Sequence, residues 1–361
     1  MNSRTLRNSL GSFVLVALVA TAANSPTIPT ATSAELLTNA LPPMPEAVTS
    51  FAAATLDGWL YVSGGHRGDR HDYNVRMVSG AFHRLRIAGG SQWETLPSTS
   101  SAQGVPLVAY GNCLYRIGGM AARNEPGTKQ DLFSRAEVLR YDPRRAVWDE
   151  LPALPEPRSS HDATVVGGKL YVGGGWQLTG GTNKPVWPSS LLVLDLTEPH
   201  AGWKEIPQPF QRRALAAAAI GSRIFFIGGM DSDNSPTLAV DIYDTKSGAW
   251  SRGPDLPPGK FKGFSCSAVT QADRIYANAF QGDLLRLAPD ERSWEVVGRL
   301  DHPRMAHRLV TAGGTQLIAL GGEDGDAKRP DLELLTPALV GSTPEKGAAN
   351  PDRATASQVH N

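Results

Sequence analysis

Cysteine is nearly missing from this 361-residue chain, which holds two. A disulfide framework is therefore excluded. Charge of one sign is missing as well: 35 basic and 35 acidic side chains cancel. With no net charge and no Lys/Arg run to track phosphates, nucleic acid is not expected as a partner. The longest apolar stretch, "FVLVALVATAA" at 13–23, is too short to span a bilayer comfortably. No Gly-x-Ser-x-Gly elbow is present, because "GFSCS" at 263–267 ends in serine. "DSDNS" at 231–235 alternates oxygen ligands like a calcium loop, but Pro236 stands at the required glycine and the bidentate glutamate is lacking. "HRGDRHD" at 66–72 reads as a polar surface turn rather than a metal site. Neither a metal nor a cofactor is expected.

What the chain has in quantity is glycine, 37 residues, and proline, 27. The glycines keep time. "LYVSGGHRG", "CLYRIGGMA", "LYVGGGWQL", "RIFFIGGMD" and "QLIALGGED" each end a β-rich run on a glycine pair, and the first glycines are Gly64, Gly118, Gly174, Gly228 and Gly321. The first three steps are 54, 56 and 54 residues, and the last, 93, leaves room for one more unit. "RIYANAFQG" at 274–282 supplies it, with Ala279-Phe280 at the glycine place. Trp93, Trp148, Trp203, Trp250 and Trp294 form a second series in phase with the first. Within a unit, "HDATVVGGKLYVGGGW" at 161–176 reads as two strands joined by the Gly167-Gly168 turn.

Six units of about 50 residues, each four short strands with Gly-Gly and tryptophan markers, resemble the kelch repeat, one blade of a β-propeller. The resemblance implies an all-β, six-bladed kelch-type propeller over residues 35–337. The last unit lacks a tryptophan strand, and "LLTNALPPMP" at 36–45 echoes "WDELPALPEP" at 148–157. We therefore expect the ring to be closed by an N-terminal strand in the last blade, with Leu36–Leu41 paired to Glu333–Leu335. Arg4 and Arg7 ahead of the apolar stretch read as a signal peptide, residues 1–34 with cleavage near 22–34. The protein is then exported, periplasmic or secreted, with no membrane contact in the mature form, and a monomer is expected. Residues 338–361 read as a disordered tail. Cys113 and Cys266 fall in blades across the ring from one another, farther apart than the about 7 Å a disulfide allows. Both are expected as buried free thiols.

Ligands of propellers sit over the channel, so the residues entering each first strand and those following Gly-Gly carry the functional reading. "PRSSH" at 157–161 recurs as "PRMAH" at 303–307. Arg158, Arg212 and Arg304 share one place in their units, Lys260 and Lys262 lie near it in the fifth, and Val48 and Ala102 hold it in the first two. In kelch interaction domains an arginine here commonly faces the ligand, and a guanidinium fork suits a carboxylate. The resemblance thus implies an anion site ringed by these three arginines. The competing reading has each arginine bonding backbone carbonyls or a carboxylate such as Glu156. His161 and His307 follow the arginines. After Gly-Gly come Trp176, which suits stacking on a sugar ring, His66, and Glu323 in the acidic "EDGD" at 323–326. The expected function is a binding module for a small anionic or carbohydrate ligand, or a partner protein.

An enzymatic alternative is a sugar-acid mutarotase or isomerase. The last-blade motif "HPRMAHRLVTAGGTQLIALGGE", the size and the signal peptide are similar to the bacterial sialic-acid mutarotases (N-acetylneuraminate epimerases). That family carries a long insertion in one blade, and no unit here is long enough to hold one. The copper-radical kelch oxidases need a cysteine–tyrosine cross-link, a second tyrosine and two histidines, a set not found here. What separates binding from catalysis is whether a carboxylate and an arginine converge in one pocket.

Overall fold

A computed structural model describes Leu37, residues 40–181 and residues 183–338. The segments read as a signal peptide and, from residue 339, as a tail lie outside the described residues. Those described are β-strands and turns, with a single 3₁₀ turn at Pro199–Ala201. Six antiparallel sheets follow one another along the chain. The innermost strands are Ala52–Leu56, Leu107–Tyr110, Ser159–Val166, Ala216–Ile220, Ser267–Gln271 and Arg308–Gly313. Each pairs with the strand that runs into Gly-Gly or its substitute, as the hairpin signals require. A third strand follows in all six blades and an outer fourth in the first five. The alternating apolar residues of these strands fill the wedges between blades. Between the fourth and fifth lie Phe225, Ile242, Ile275, Leu285 and Leu287.

The glycine pairs are where one blade meets the next. Gly119 donates its N–H to the Arg158 carbonyl of the following blade at 2.8 Å. Gly118 has φ +59°, and a Cβ there would stand 2.6 Å from that same oxygen. Only a residue without a side chain lets the two chains come this close. The tryptophans make the complementary contact on the outer side. Trp148, Trp203, Trp250 and Trp294 donate Nε1–H to the carbonyls of Pro97, Pro152, Pro207 and Pro254, the proline-bearing ends of the preceding blades, at 2.9–3.1 Å.

Closure of the ring uses the same devices. Trp93 donates to the Pro42 carbonyl at 3.2 Å, so the N-terminal segment stands in the place of a sixth outer strand. Leu37, Leu41 and Met44 pack into the wedge between the last and first blades with Phe51, Val62 and Ile318. The Leu37 amide and carbonyl bond the Gln316 side chain at 2.6 and 3.1 Å, and Met44 N–H reaches the Pro330 carbonyl at 2.7 Å. The expected ladder of Leu36–Leu41 onto Glu333–Leu335 falls in good part outside the described residues, and the described part of the segment holds the seam through these side chains and single bonds. Leu36, Thr38 and Asn39 of the predicted strand lie outside the described residues.

Candidate functional site

At the entry to every innermost strand one residue has left-handed backbone: Ser50, Gly104, Ser160, Ala214, Ser265 and Ala306, all with φ between 51° and 57°. These six surround the axis. Ser50 donates its N–H to the Ala306 carbonyl, Gly104 to Ser50, Ser160 to Gly104, Ala214 to Ser160 and Ser265 to Ala214, at 2.6–2.9 Å. The channel is thus narrowed by a girdle of backbone hydrogen bonds running from blade to blade, and the first of them crosses the closing seam.

The girdle decides which side chains face a ligand, and it overturns the anion ring read from Arg158, Arg212 and Arg304. Two residues ahead of the girdle the arginine side chain turns back into its own blade. Arg158, Arg212 and Arg304 are all at most 1% exposed. Arg158 donates to the Ser190 carbonyl at 2.7 Å and to Glu156 at 3.0 Å. Arg212 donates to the carbonyls of Gly228 and Ala239 and to Asp241, at 2.9, 2.7 and 2.5 Å. Arg304 donates to the Gly321 and Asp331 carbonyls and to the carboxylates of Asp331 and Glu333. Each arginine is a staple joining its glycine strand to the third strand. Arg116 in the second blade, at 1% exposure, is likewise buried, but ties its glycine strand to the segment entering the blade by donating to the Ser100 carbonyl at 2.9 Å. A lone arginine inside the apolar "CLYRIGG" was the signal for it.

His161 and His307 are buried beside the girdle rather than displayed at the mouth. They follow the girdle directly, at the place held elsewhere by Phe51, Val105, Leu215 and Cys266, and are 2% and 3% exposed. Neither ring has a hydrogen-bond partner, and burial lowers both to about 3. Cys266 is buried, its thiol pushed up to about 12 by desolvation, whereas Cys113 is half-buried rather than buried; both are free.

The mouth of the channel is built from the residue just before the girdle and the one just after Gly-Gly, which bridge as Thr49 with His66, Gln103 with Met120, Ser159 with Trp176, Arg213 with Met230 and Met305 with Glu323. Trp176, His66 and Glu323 each follow a glycine pair and bridge to the residue before the girdle. His66 is engaged, its ring 4.8 Å from Tyr73 and its Nε2 at 2.9 Å from the Asp72 carbonyl, and burial lowers its pKa. Glu323 accepts from Arg70 at 2.8 Å. The residue that sequence reasoning overlooked is Arg213, adjacent to Arg212. Its guanidinium lies 4.2 Å over the Trp176 ring and 5.7 Å from Phe264, and its one bond is to the Met230 sulfur at 3.0 Å. No carboxylate pairs with it among the described residues. Its Nε and the Trp176 Nε1 are both buried and without a partner. Burial lowers the Arg213 pKa, opposed by Tyr73, and Tyr73 in turn feels Glu323, Arg213 and Arg70 beyond its own desolvation. Trp187 flanks Trp176 at 5.8 Å.

Below the girdle the channel widens to about 300 Å³ between the innermost strands. Arg308 crosses it from the last blade, donating to the carbonyls of Phe51 and Val105 at 2.9 and 3.1 Å and reaching Asp162 of the third blade at 3.4 Å. Asp162 accepts the Ala217 N–H at 2.9 Å, and desolvation raises its carboxyl above the usual range.

Residues 104–322 match the model of the KLHDC2/KLHL20/DRC7 Kelch-repeats domain. Among curated proteins, Kelch-like protein terF of Aspergillus terreus is 28% identical over 60% of this chain and 46% of its own. Adagio-like protein 3 of Oryza sativa is 25% identical over 77% of this chain and 46% of its own. F-box/kelch-repeat protein At1g16250 of Arabidopsis thaliana is 26% identical over 68% of each. The chain spans less than half the length of the first two. A solved structure, that of YjhT, superposes with a TM-score of 0.67 at 18% identity, covering 82% of this chain and 97% of the other.

Proposed function

The chain belongs to the kelch-repeat domain family, and from that premise we propose that it is a binding module whose channel mouth takes an anionic group on Arg213. One observation carries this reading. Arg213 is a half-buried arginine without an acid partner, stacked on Trp176, with its Nε and the indole Nε1 both unsatisfied. A buried donor without an acceptor costs about 1–3 kcal/mol, so a site that leaves two of them together gains by accepting an anion. A carboxylate suits the guanidinium fork. The faces of Trp176 and Tyr73 suit a sugar ring or a flat side chain next to it. The ligand is then a small carboxylate-bearing sugar or an acidic segment of a partner protein. Export follows in this reading from Arg4, Arg7 and the apolar stretch 13–23, and N-terminal sequencing of protein recovered outside the cytosol tests it. The binding reading itself is tested by a thermal-shift screen of sugar acids and acidic peptides. A ligand at 100 times its dissociation constant stabilises by about 2.7 kcal/mol. Arg213→Ala should remove that shift and Arg158→Lys should keep it; a hit unaffected by Arg213→Ala defeats the site.

A second reading, a sugar-acid mutarotase, is favoured by the meeting of Asp162 with Arg308 in the channel. It requires faster anomer exchange of N-acetylneuraminate with the parent protein than with Asp162→Asn. Equal rates with and without protein would end it.

A further inference from the structure

The girdle encloses a small axial well of about 50 Å³, lined by the six girdle residues, by the four that follow some of them, His161, Leu215, Cys266 and His307, and by Arg308. We propose that this well is a site for a small monovalent anion, a halide being its simplest occupant. The three serines belong to the first, third and fifth blades, so their hydroxyls recur at every second step around the axis. Gly104, Ala214 and Ala306 alternate with them and add no polar group. None of the three hydroxyls takes part in a side-chain hydrogen bond within the described residues, and each is free to donate. Arg308 supplies the charge. It lines both the well and the wider channel, and its guanidinium uses three of five N–H groups on Phe51, Val105 and Asp162.

The sign of the occupant follows from what faces the well. Among the described residues Arg308 is the one cation lining it, and its only acidic contact is the long 3.4 Å approach to Asp162. Arg158 and Arg304 are neutralised by carboxylates in their own blades. His161 and His307 are held neutral by burial. Girdle carbonyls from five of the blades already accept a neighbour's N–H, which weakens them as cation ligands. The volume admits roughly three water-sized spheres. That is enough for chloride or bromide and too little for a sugar. The site is separate from the Arg213 mouth and does not depend on it.

Bromide is the probe. The full chain crystallised in bromide should give an anomalous peak on the axis within hydrogen-bond reach of the three hydroxyls. In solution the bromide NMR line should broaden saturably and narrow again on adding chloride. Ser160→Ala with Ser265→Ala should weaken this binding about tenfold or more, the scale of charge-assisted hydrogen bonds. That variant keeps the fold, because Ala214 and Ala306 already occupy girdle positions with φ 51° and 52°. Arg213→Ala should leave bromide binding unchanged. An empty axis at saturating bromide, or a site untouched by the double substitution, overturns the proposal.

Discussion

Arg212 and Arg213 are the same residue type one position apart, and their environments are opposites. Arg212 holds two carbonyls and Asp241. Removing it leaves Asp241, 10% exposed, to the exposed Arg252 alone and takes the donor from two carbonyls, so Arg212→Ala should cost about 1–3 kcal/mol in denaturant unfolding. Arg213 gives up only a stacking contact, partly offset by release of its desolvation penalty, and Arg213→Ala should stay within about 1 kcal/mol of the parent. A large loss in the second variant would make Arg213 structural. The histidines show the same logic with pH. An unfolded histidine titrates near 6.5, and His161 and His307 are held at about 3 in the fold. Below pH 6.5 the unfolded chain takes up protons that the native state refuses. Stability present above 6.5 is therefore lost as pH falls, by about 1.4 kcal/mol per pH unit for each histidine. Unfolding free energies between pH 6 and 4 should show roughly twice that slope. His161→Leu, placing there what Leu215 supplies in the next blade, should halve it and raise stability at pH 7. A slope unchanged by the substitution would refute this account.

At the scale of the element, glycine and tryptophan were legible because their job repeats with the blade. Each glycine pair lies under the next blade's entry backbone, and five tryptophans reach a preceding proline carbonyl. The direction of the arginines was not legible. Alternation of faces along a strand fails where the girdle residue adopts left-handed backbone, and that conformation falls on three Ser, two Ala and a single Gly. Counting from Pro-Arg thus aimed Arg158 and Arg304 at a ligand and passed over Arg213, which the bridge to Met230 sets beside the residue that follows its own glycine pair. Two glycines separate strain from crowding. Gly118→Ala meets both positive φ and the Arg158 carbonyl at 2.6 Å, so it should cost more than about 2 kcal/mol. Gly221→Ala, φ +56° with open space around its Cβ, should cost about 1 kcal/mol. Equal costs in thermal melts would mean that blade crowding does not explain the pair.

For the whole molecule the question is what holds blade six to blade one. The echo of "WDELP" in "TNALP" located the closing segment, and closure combines the repeat's own tryptophan-to-proline and girdle bonds with contacts that no repeat encodes. Pro42 accepts from Trp93, Leu37 brackets Gln316, and Arg70 reaches across the seam to Glu323. The girdle bond from Ser50 to Ala306 and the Gly322 bond to the Val48 carbonyl, at 3.1 Å, tie the inner edge. Deleting residues 35–42 removes the outer contacts and leaves the inner ones. Leu37 and Leu41 leave an apolar wedge open to water, and Trp93 loses its acceptor. Burial of two leucines is worth about 3–6 kcal/mol, and the indole bond adds about 1 kcal/mol. That sum is comparable to the whole stability of many domains. The truncated chain should therefore melt far below the parent, and its exposed strand Leu332–Leu335 should drive association. Trp93→Phe, which removes only the bond to Pro42, should lose about 1 kcal/mol and elute with the parent in size-exclusion chromatography. A truncated chain that melts with the parent would place the closing force in the girdle alone.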